Sequence, residues 1–190
     1  HLTHGSPVSF SADWYNFVHF PLGTDGHLDY EIIKKFLYQE NPQMLLLGFS
    51  AYPYSIDFAK AAKVVSEYNS DTGNKCFFMV DMAHIAGIVA ARLCQNPCNY
   101  ADVVTTTTHK TLRGPRGGLI LWDNPDYTIA INKSVFPYTQ GGPLENIIAA
   151  KAICFNEDDN FSFQKYIYKV LENTKACNDA LEKLGGFVSG

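Results

Sequence analysis

The residues in this sequence with the most chemistry to offer gather at one break, in Ala101 to Gly118, ADVVTTTTHKTLRGPRGG. A β-branched run, Val103 to Thr108, leads into His109, Lys110, Arg113 and Arg116, which surround the turn signal Gly114-Pro115. A second apolar stretch, Leu119-Ile120-Leu121-Trp122, leaves the turn, so the pattern predicts a strand, a basic loop and a further strand. A lysine on its own is ordinarily a solvated surface residue. One held at a strand end among other cations differs, because neighbouring positive charge favours the neutral, nucleophilic amine used in Schiff-base chemistry.

The elements that must position this lysine are an alternating series. Met44 to Phe49 is a continuous apolar run, as expected of a strand covered on both faces, with Ser50 at its carboxyl end. A helix is predicted from about Ile56 to Tyr68, with Phe58, Ala61, Ala62 and Val65 on one stripe. Cys76 to Val80 is a second apolar strand, and Asp81 ends it. Strand, helix, strand, short helix, strand describes a parallel sheet with right-handed crossovers, and such sheets bind ligands beyond the carboxyl ends of their strands. Ser50, Asp81 and Lys110 are thus expected to converge on one cleft. Asp81 has a second reading, as the N-cap of a short helix over 85–91. His84 lies three residues on, near Asp81 if a helical turn begins there. An Asp-x-x-His metal site with His1 and His4 lacks defined ligand spacing.

Length and composition narrow the function classes. With 46% hydrophobic residues, 18% charged and a net charge of -4, the 190 residues have the balance of a soluble globular chain, able to bury roughly 70% of the unfolded surface. No basic tract is present, which argues against nucleic acid and favours a single phosphate as the anionic partner. The five cysteines, Cys76, Cys94, Cys98, Cys154 and Cys177, form no disulfide or zinc pattern and read as reduced thiols of a cytosolic or organellar interior. No apolar run approaches the roughly 20 residues that span a bilayer, and no signal peptide is visible.

Elsewhere, residues 1–11 read as a cleft-lining loop and Tyr15 to Phe20 as a short strand. A turn at Gly23 to Gly26 follows, then a helix of about eleven residues capped by Asp29, carrying Ile32, Ile33, Phe36 and Leu37, and stopped by Asn41-Pro42. Pro125 to Lys133 is a helix candidate. Gln140-Gly141-Gly142-Pro143 is expected to open a helix running to about Phe155, with free backbone N–H groups for an anion. A long helix is expected from about Phe161 to Leu184, and Phe187-Val188-Ser189 as the start of a strand.

The run TTTTHKTLRGPRGG closely resembles the cofactor-attachment segment of the serine hydroxymethyltransferase family, in which the lysine after TTTTH carries pyridoxal 5'-phosphate. HLTHGSPVSFS at 1–11, GFSAY at 48–52, VDMAHIAGIVAA at 80–91 and VFPYTQGGPL at 135–144 extend the resemblance, in the family's order. It implies an α/β chain of the fold type I, aspartate aminotransferase-like class, with a mostly parallel sheet and helices on both faces. Residues 1–158 would belong to the large cofactor-binding domain, and 159–190 to a connecting helix and the start of a small C-terminal domain. The implied enzyme interconverts serine and tetrahydrofolate with glycine and 5,10-methylenetetrahydrofolate, in a cytoplasmic setting, with an organellar form as the alternative.

Residue by residue, the resemblance makes Lys110 the covalent anchor and Asp81 the carboxylate that keeps the cofactor ring nitrogen protonated. It places His84 near the ring oxygen and the substrate carboxylate, His1 stacked on the ring, and Leu2 in a folate-contacting turn. Ser50 matches a serine near the 3-hydroxyl, Thr107 a threonine beside the anchoring lysine, and His109 a pocket residue. Gly142 matches a glycine that holds the cofactor phosphate of the neighbouring subunit, which implies a homodimer or tetramer with shared active sites. Arg113 and Arg116 stay open between tuning the potential and bracing the loop. Family glutamate and tyrosines, Ser-Gly-Ser-like phosphate contacts and a carboxylate-clamping arginine have no counterpart here, so the sequence reads as an internal, catalytically inert piece of a longer enzyme. Two rivals stand beside this reading: a folate-independent threonine aldolase of the same fold, and a nucleotide-binding module, which lacks both a Walker loop and a G-x-G-x-x-G.

Overall fold

Element boundaries follow local chemistry along most of the chain. In the computed structural model, which describes residues 4–186, the first element is a short helix, α1 (Phe10–Trp14). It replaces part of the expected loop, and the expected strand from Tyr15 to Phe20 is irregular. A strand needs a partner for its backbone, and none of the four strands of the sheet pairs with this stretch among the described residues. Helix α2 (Tyr30–Glu40) begins as its sequence predicts: the Asp29 carboxylate accepts the N–H groups of Glu31 at 2.9 Å and Ile32 at 3.4 Å. Ile33 and Leu37, one turn apart, are buried, and Asn41 ends the helix in the left-handed region before Pro42.

Strand β1 (Met44–Leu47) is shorter than its apolar run. Leu45 and Leu47 are buried while Met44 is exposed, so the expectation of cover on both faces is corrected: β1 is an edge of the sheet in this chain. Helix α3 (Phe58–Thr72) buries Phe58, Ala61, Val64, Val65 and Tyr68, close to the predicted stripe. Then come β2 (Phe77–Asp81), α4 (Ala86–Ala90), β3 (Val103–Thr107) and β4 (Gly118–Trp122). A 3-10 turn (Pro125–Tyr127) runs into α5 (Thr128–Lys133), as the sequence predicts, and a kinked π-helical turn occupies Ser134–Thr139. Helix α6 (Glu145–Asp158) is followed by α7 (Phe161–Lys183), whose N-cap Asn160 accepts from the N–H groups of Ser162 and Phe163. The strand expected at Phe187-Val188-Ser189 lies outside the described residues.

The strand order is β1-β2-β3-β4, and the sheet is mostly parallel. β2 and β3 run parallel with Asp81 opposite Thr105, and β3 pairs antiparallel with β4 with Thr107 opposite Gly118. Phe78 and Val80 of β2 and Val104 and Thr106 of β3 alternate inward, the period of two expected of a pleated strand.

The chain divides into two compact units, one of His1–Leu45 and Ala59–Phe78, the other of Leu46–Phe58 and Met79–Gly190. The first has its own core of Tyr30, Ile33, Leu37, Ala61, Val65 and Tyr68. Lys34 pairs there with Glu67 at 2.8 Å, and the Tyr38 hydroxyl donates to Asp71 at 2.5 Å. The second is centred on Leu47, Val80, Val104, Leu112, Phe163 and Ile167. Every described candidate site residue belongs to it.

Candidate active site

Lys110 stands in a loop tied at both ends by one threonine. Thr108 is fully buried at the end of β3; its Oγ1 donates to the Pro115 carbonyl at 2.5 Å and lies 3.2 Å from that of Gly117. Its N–H donates to the Gly117 carbonyl and its own carbonyl accepts from the Gly114 N–H at 2.7 Å. The chain therefore leaves and returns at one point, with Lys110 exposed on the loop between. Gly114 is required by space: a Cβ there would lie 2.7 Å from the Thr108 carbonyl oxygen and 2.8 Å from Cys154 Sγ. From sequence Gly114 reads as part of the Gly-Pro turn and Thr108 as part of the β-branched run, and neither stands there as a candidate site residue. Their signal was present in the β-branched run and the Gly-Pro turn, but the pairing across the loop is a tertiary fact.

Asp81, the last residue of β2, has its Oδ1 accepting the Ala83 N–H at 3.0 Å. It caps the turn of residues 82–85 and not helix α4, whose N-cap is Ile85, so the helix-cap reading gives way to a local turn. Gly48, just past β1, lets the backbone close on Asp81: its φ is 147°, and a Cβ there would lie 2.3 Å from the Asp81 carbonyl oxygen. His84 sits in the turn beyond. Burial lowers its pKa, the nearby Lys110 ammonium pushes the same way, and Asp81 opposes both. Lys110, Asp81 and His84 thus share one electrostatic neighbourhood.

Thr111 straps the two loops together. The Gly87 N–H donates to Thr111 Oγ1 at 2.8 Å, and that hydroxyl donates to the His84 carbonyl at 3.4 Å. A Cβ on Gly87 would come within 2.6 Å of the Thr111 carbonyl oxygen, so only glycine permits this approach. Sequence reasoning also passed over Thr111 and Gly87, because a lone threonine or glycine carries no pattern of its own.

The other cations do not converge on Lys110. Arg113 turns toward Asp158, Phe163 and Tyr166. Arg116 Nη1 lies 3.3 Å from His109 Nε2; since arginine only donates, Nε2 is the acceptor. Ser50 is exposed three residues past β1. Gly142 is exposed, and α6 begins only at Glu145 with Leu144 as its N-cap, which corrects the expectation that the glycine pair opens that helix. Space is not what requires glycine there, since a Cβ on Gly141 or Gly142 would meet nothing within 4 Å. His1 and Leu2 lie outside the described residues. Among the described residues no group of three or more His, Cys, Asp or Glu is placed to hold a metal, and no helix is long and apolar enough to cross a membrane.

An exposed amine on a loop that Thr111 straps to the turn carrying Asp81 and a half-buried imidazole, all at or just past strand ends, suits covalent amine chemistry on a polar ligand. Comparison with known proteins points the same way. A family profile described as serine hydroxymethyltransferase matches residues 1–190. Serine hydroxymethyltransferases of Prochlorococcus marinus strains MIT 9515, MIT 9301 and MIT 9312 are each 46% identical to the chain over 192 residues, covering all of it. The chain spans 44% of the length of each of these relatives. Matched along its whole length by that profile, and with the lysine loop strapped by Thr111 to the turn of Asp81 and His84, the chain belongs to the serine hydroxymethyltransferase family.

Proposed function

We propose that the protein carrying this chain is a pyridoxal-phosphate-dependent transferase that interconverts serine and tetrahydrofolate with glycine and 5,10-methylenetetrahydrofolate, Lys110 being the covalent anchor of the cofactor. The observation that carries this reading is the Lys110 loop strapped by Thr111 to the turn of Asp81 and His84, in a chain matched throughout by the family profile. The fit to the cofactor rests on orphaned polar atoms. Among the described residues, Thr107 Oγ1 and His109 Nδ1 are the buried side-chain polar atoms without a hydrogen-bond partner, and they flank Lys110 within three residues. Each such atom costs about 1–3 kcal/mol, so a polar ligand held at Lys110 would relieve them.

When bound, the cofactor supplies an electron sink for bond cleavage at the α-carbon of the amino acid. Lys110 offers an exposed amine on a loop that Thr108 and Thr111 hold in place. Asp81 keeps a proton on the ring nitrogen, with Oδ1 oriented by the Ala83 N–H. His84, held toward its neutral form, would donate its one N–H to the ring oxygen or the substrate carboxylate. By the same resemblance Ser50, Thr107 and His109 would line the cofactor and Gly142 would offer its backbone N–H to the phosphate of a neighbouring subunit, while His1 and Leu2, assigned to the ring and to folate, lie outside the described residues. The finer assignments belong to the same proposal: fold type I, residues 1–158 in the large domain and 159–190 leading to the small one, a homodimer or tetramer, a cytoplasmic location, and no turnover by these 190 residues alone.

Borohydride reduction of the full-length protein with pyridoxal phosphate, followed by peptide mass mapping, tests the anchor. The expected result is a pyridoxyl adduct on Lys110, with serine cleavage that depends on tetrahydrofolate. A folded protein that takes up no cofactor would overturn the proposal, and folate-independent cleavage of threonine would convert it to an aldolase.

A further inference from the structure

The segment that follows Lys110 is held from behind. Arg113 has a φ of 60°, a backbone state that side-chain-bearing residues rarely adopt, and its N–H donates to the Lys110 carbonyl at 3.0 Å. Glycine is the default for such a position, so an arginine there points to a use for the side chain. The guanidinium carbon lies 4.2 Å from the Tyr166 ring centroid and 5.1 Å from that of the fully buried Phe163. Its Nη2 is 3.9 Å from Oδ1 of Asp158, a carboxylate only 7% exposed. The flanking residues are tied as well. The Leu112 carbonyl accepts the Cys154 thiol at 3.2 Å, and the Gly114 N–H donates to the Thr108 carbonyl. Burial pushes the Cys154 thiol up to about 11, so it remains a donor at neutral pH.

Resting on the function proposed above, we infer that Arg113 is a positioning residue for that reaction: seated on Tyr166 and Phe163 and paired with Asp158, it fixes the backbone from Lys110 to Gly114 and thereby the placing of the Lys110 amine. The distance from Lys110 is the point of the arrangement. A cation beside the amine would act on it through charge, whereas Arg113 faces away and acts through the three-residue turn that joins them. Planar stacking with an ion pair suits arginine and not lysine, which lacks the flat fork.

The test uses the full-length protein and two variants. Arg113→Gly removes the side chain while easing the backbone, so a role confined to backbone strain predicts unchanged or improved behaviour. Tyr166→Leu removes one ring from a partly exposed site and carries the same test if the first variant does not fold. The expected result for Arg113→Gly is about tenfold weaker binding of pyridoxal phosphate. The pH midpoint of the absorbance of the cofactor on Lys110 should shift, and kcat should fall with little change in KM. In the cofactor-free protein, hydrogen exchange at the Arg113 and Gly114 amides should rise by a similar factor. Tyr166→Leu should move each readout in the same direction by less. Wild-type cofactor affinity, pH midpoint and exchange in the folded variants would overturn the inference, whatever happens to the melting temperature. Failure of the unsubstituted protein to take up the cofactor would instead overturn the functional reading, and this inference with it.

Discussion

The loop from Thr108 to Gly117 and the stretch from Ser134 to Leu144 both mix glycine, proline and threonine at the end of a regular element, yet the first is tied to distant parts of the fold and the second is bonded to its near neighbours in sequence. In the first, Thr108 binds both ends of the loop, Thr111 reaches the turn of His84, and Arg113 reaches α7. In the second, Thr139 Oγ1 donates to the Ser134 carbonyl and the Gln140 N–H to that of Val135, while Phe136, Tyr138 and Leu144 are 59%, 72% and 69% exposed. Similar composition thus gives a preorganised loop where buried partners exist and an open one where large apolar side chains stay exposed. Under the proposed function, this is the division expected between residues serving the chain's own lysine and a glycine serving a neighbouring subunit.

The sharpest way to break the comparison is to make one substitution in both places. Gly114→Ala, and Gly48→Ala with its added strain at a φ of 147°, drive a Cβ into backbone atoms. Each should lower stability by about 3 kcal/mol in denaturant unfolding of the full-length protein. Gly142→Ala meets open space and should change stability by no more than about 0.5 kcal/mol. Equal effects at Gly114 and Gly142 would mean that the two regions are held alike.

A smaller effect tests the knot itself. Thr108→Val keeps the shape and the backbone bonds but leaves the Pro115 carbonyl without its hydroxyl donor. We expect a loss of about 1–2 kcal/mol, together with faster hydrogen exchange at the Gly114 amide. The Thr139→Val counterpart in the open stretch removes an exposed local bond and should cost less than half as much.

What the sequence made legible was whatever local pattern encodes. Asp29 and Asn41 bracketed α2, the β-branched run gave β3, the Gly-Pro break gave the loop, and the apolar runs placed Asp81 at the end of β2 and Lys110 just past β3. Illegible were facts that depend on which buried group stands opposite. Arg113 sits in a basic cluster by sequence but belongs to Asp158 and two rings in space. Gly48 falls within an apolar strand run and Gly87 within a predicted short helix, although each marks a point where two backbones touch. The strand expected at Tyr15 to Phe20 had β propensity without a partner, and propensity alone does not satisfy a backbone.

The smallest predicted effect reads charge inside the ordered cluster. Burial, with Lys110 acting in the same sense, lowers the His84 pKa below its usual 6.5 in the folded state. Between that lowered value and 6.5 the unfolded chain binds more protons than the folded one, so stability rises with pH across this window and is lost as the pH falls through it. The melting temperature of the full-length protein should therefore drop on acidification below about 6.5, and His84→Gln should flatten that part of the profile. Lys110→Met removes the ammonium and should move the His84 midpoint, followed by its imidazole NMR signals, upward toward the ordinary range. A midpoint unchanged by the loss of Lys110 would show that the two charges do not sense each other, and the lysine loop would then be joined to the turn of His84 through Thr111 and not through charge.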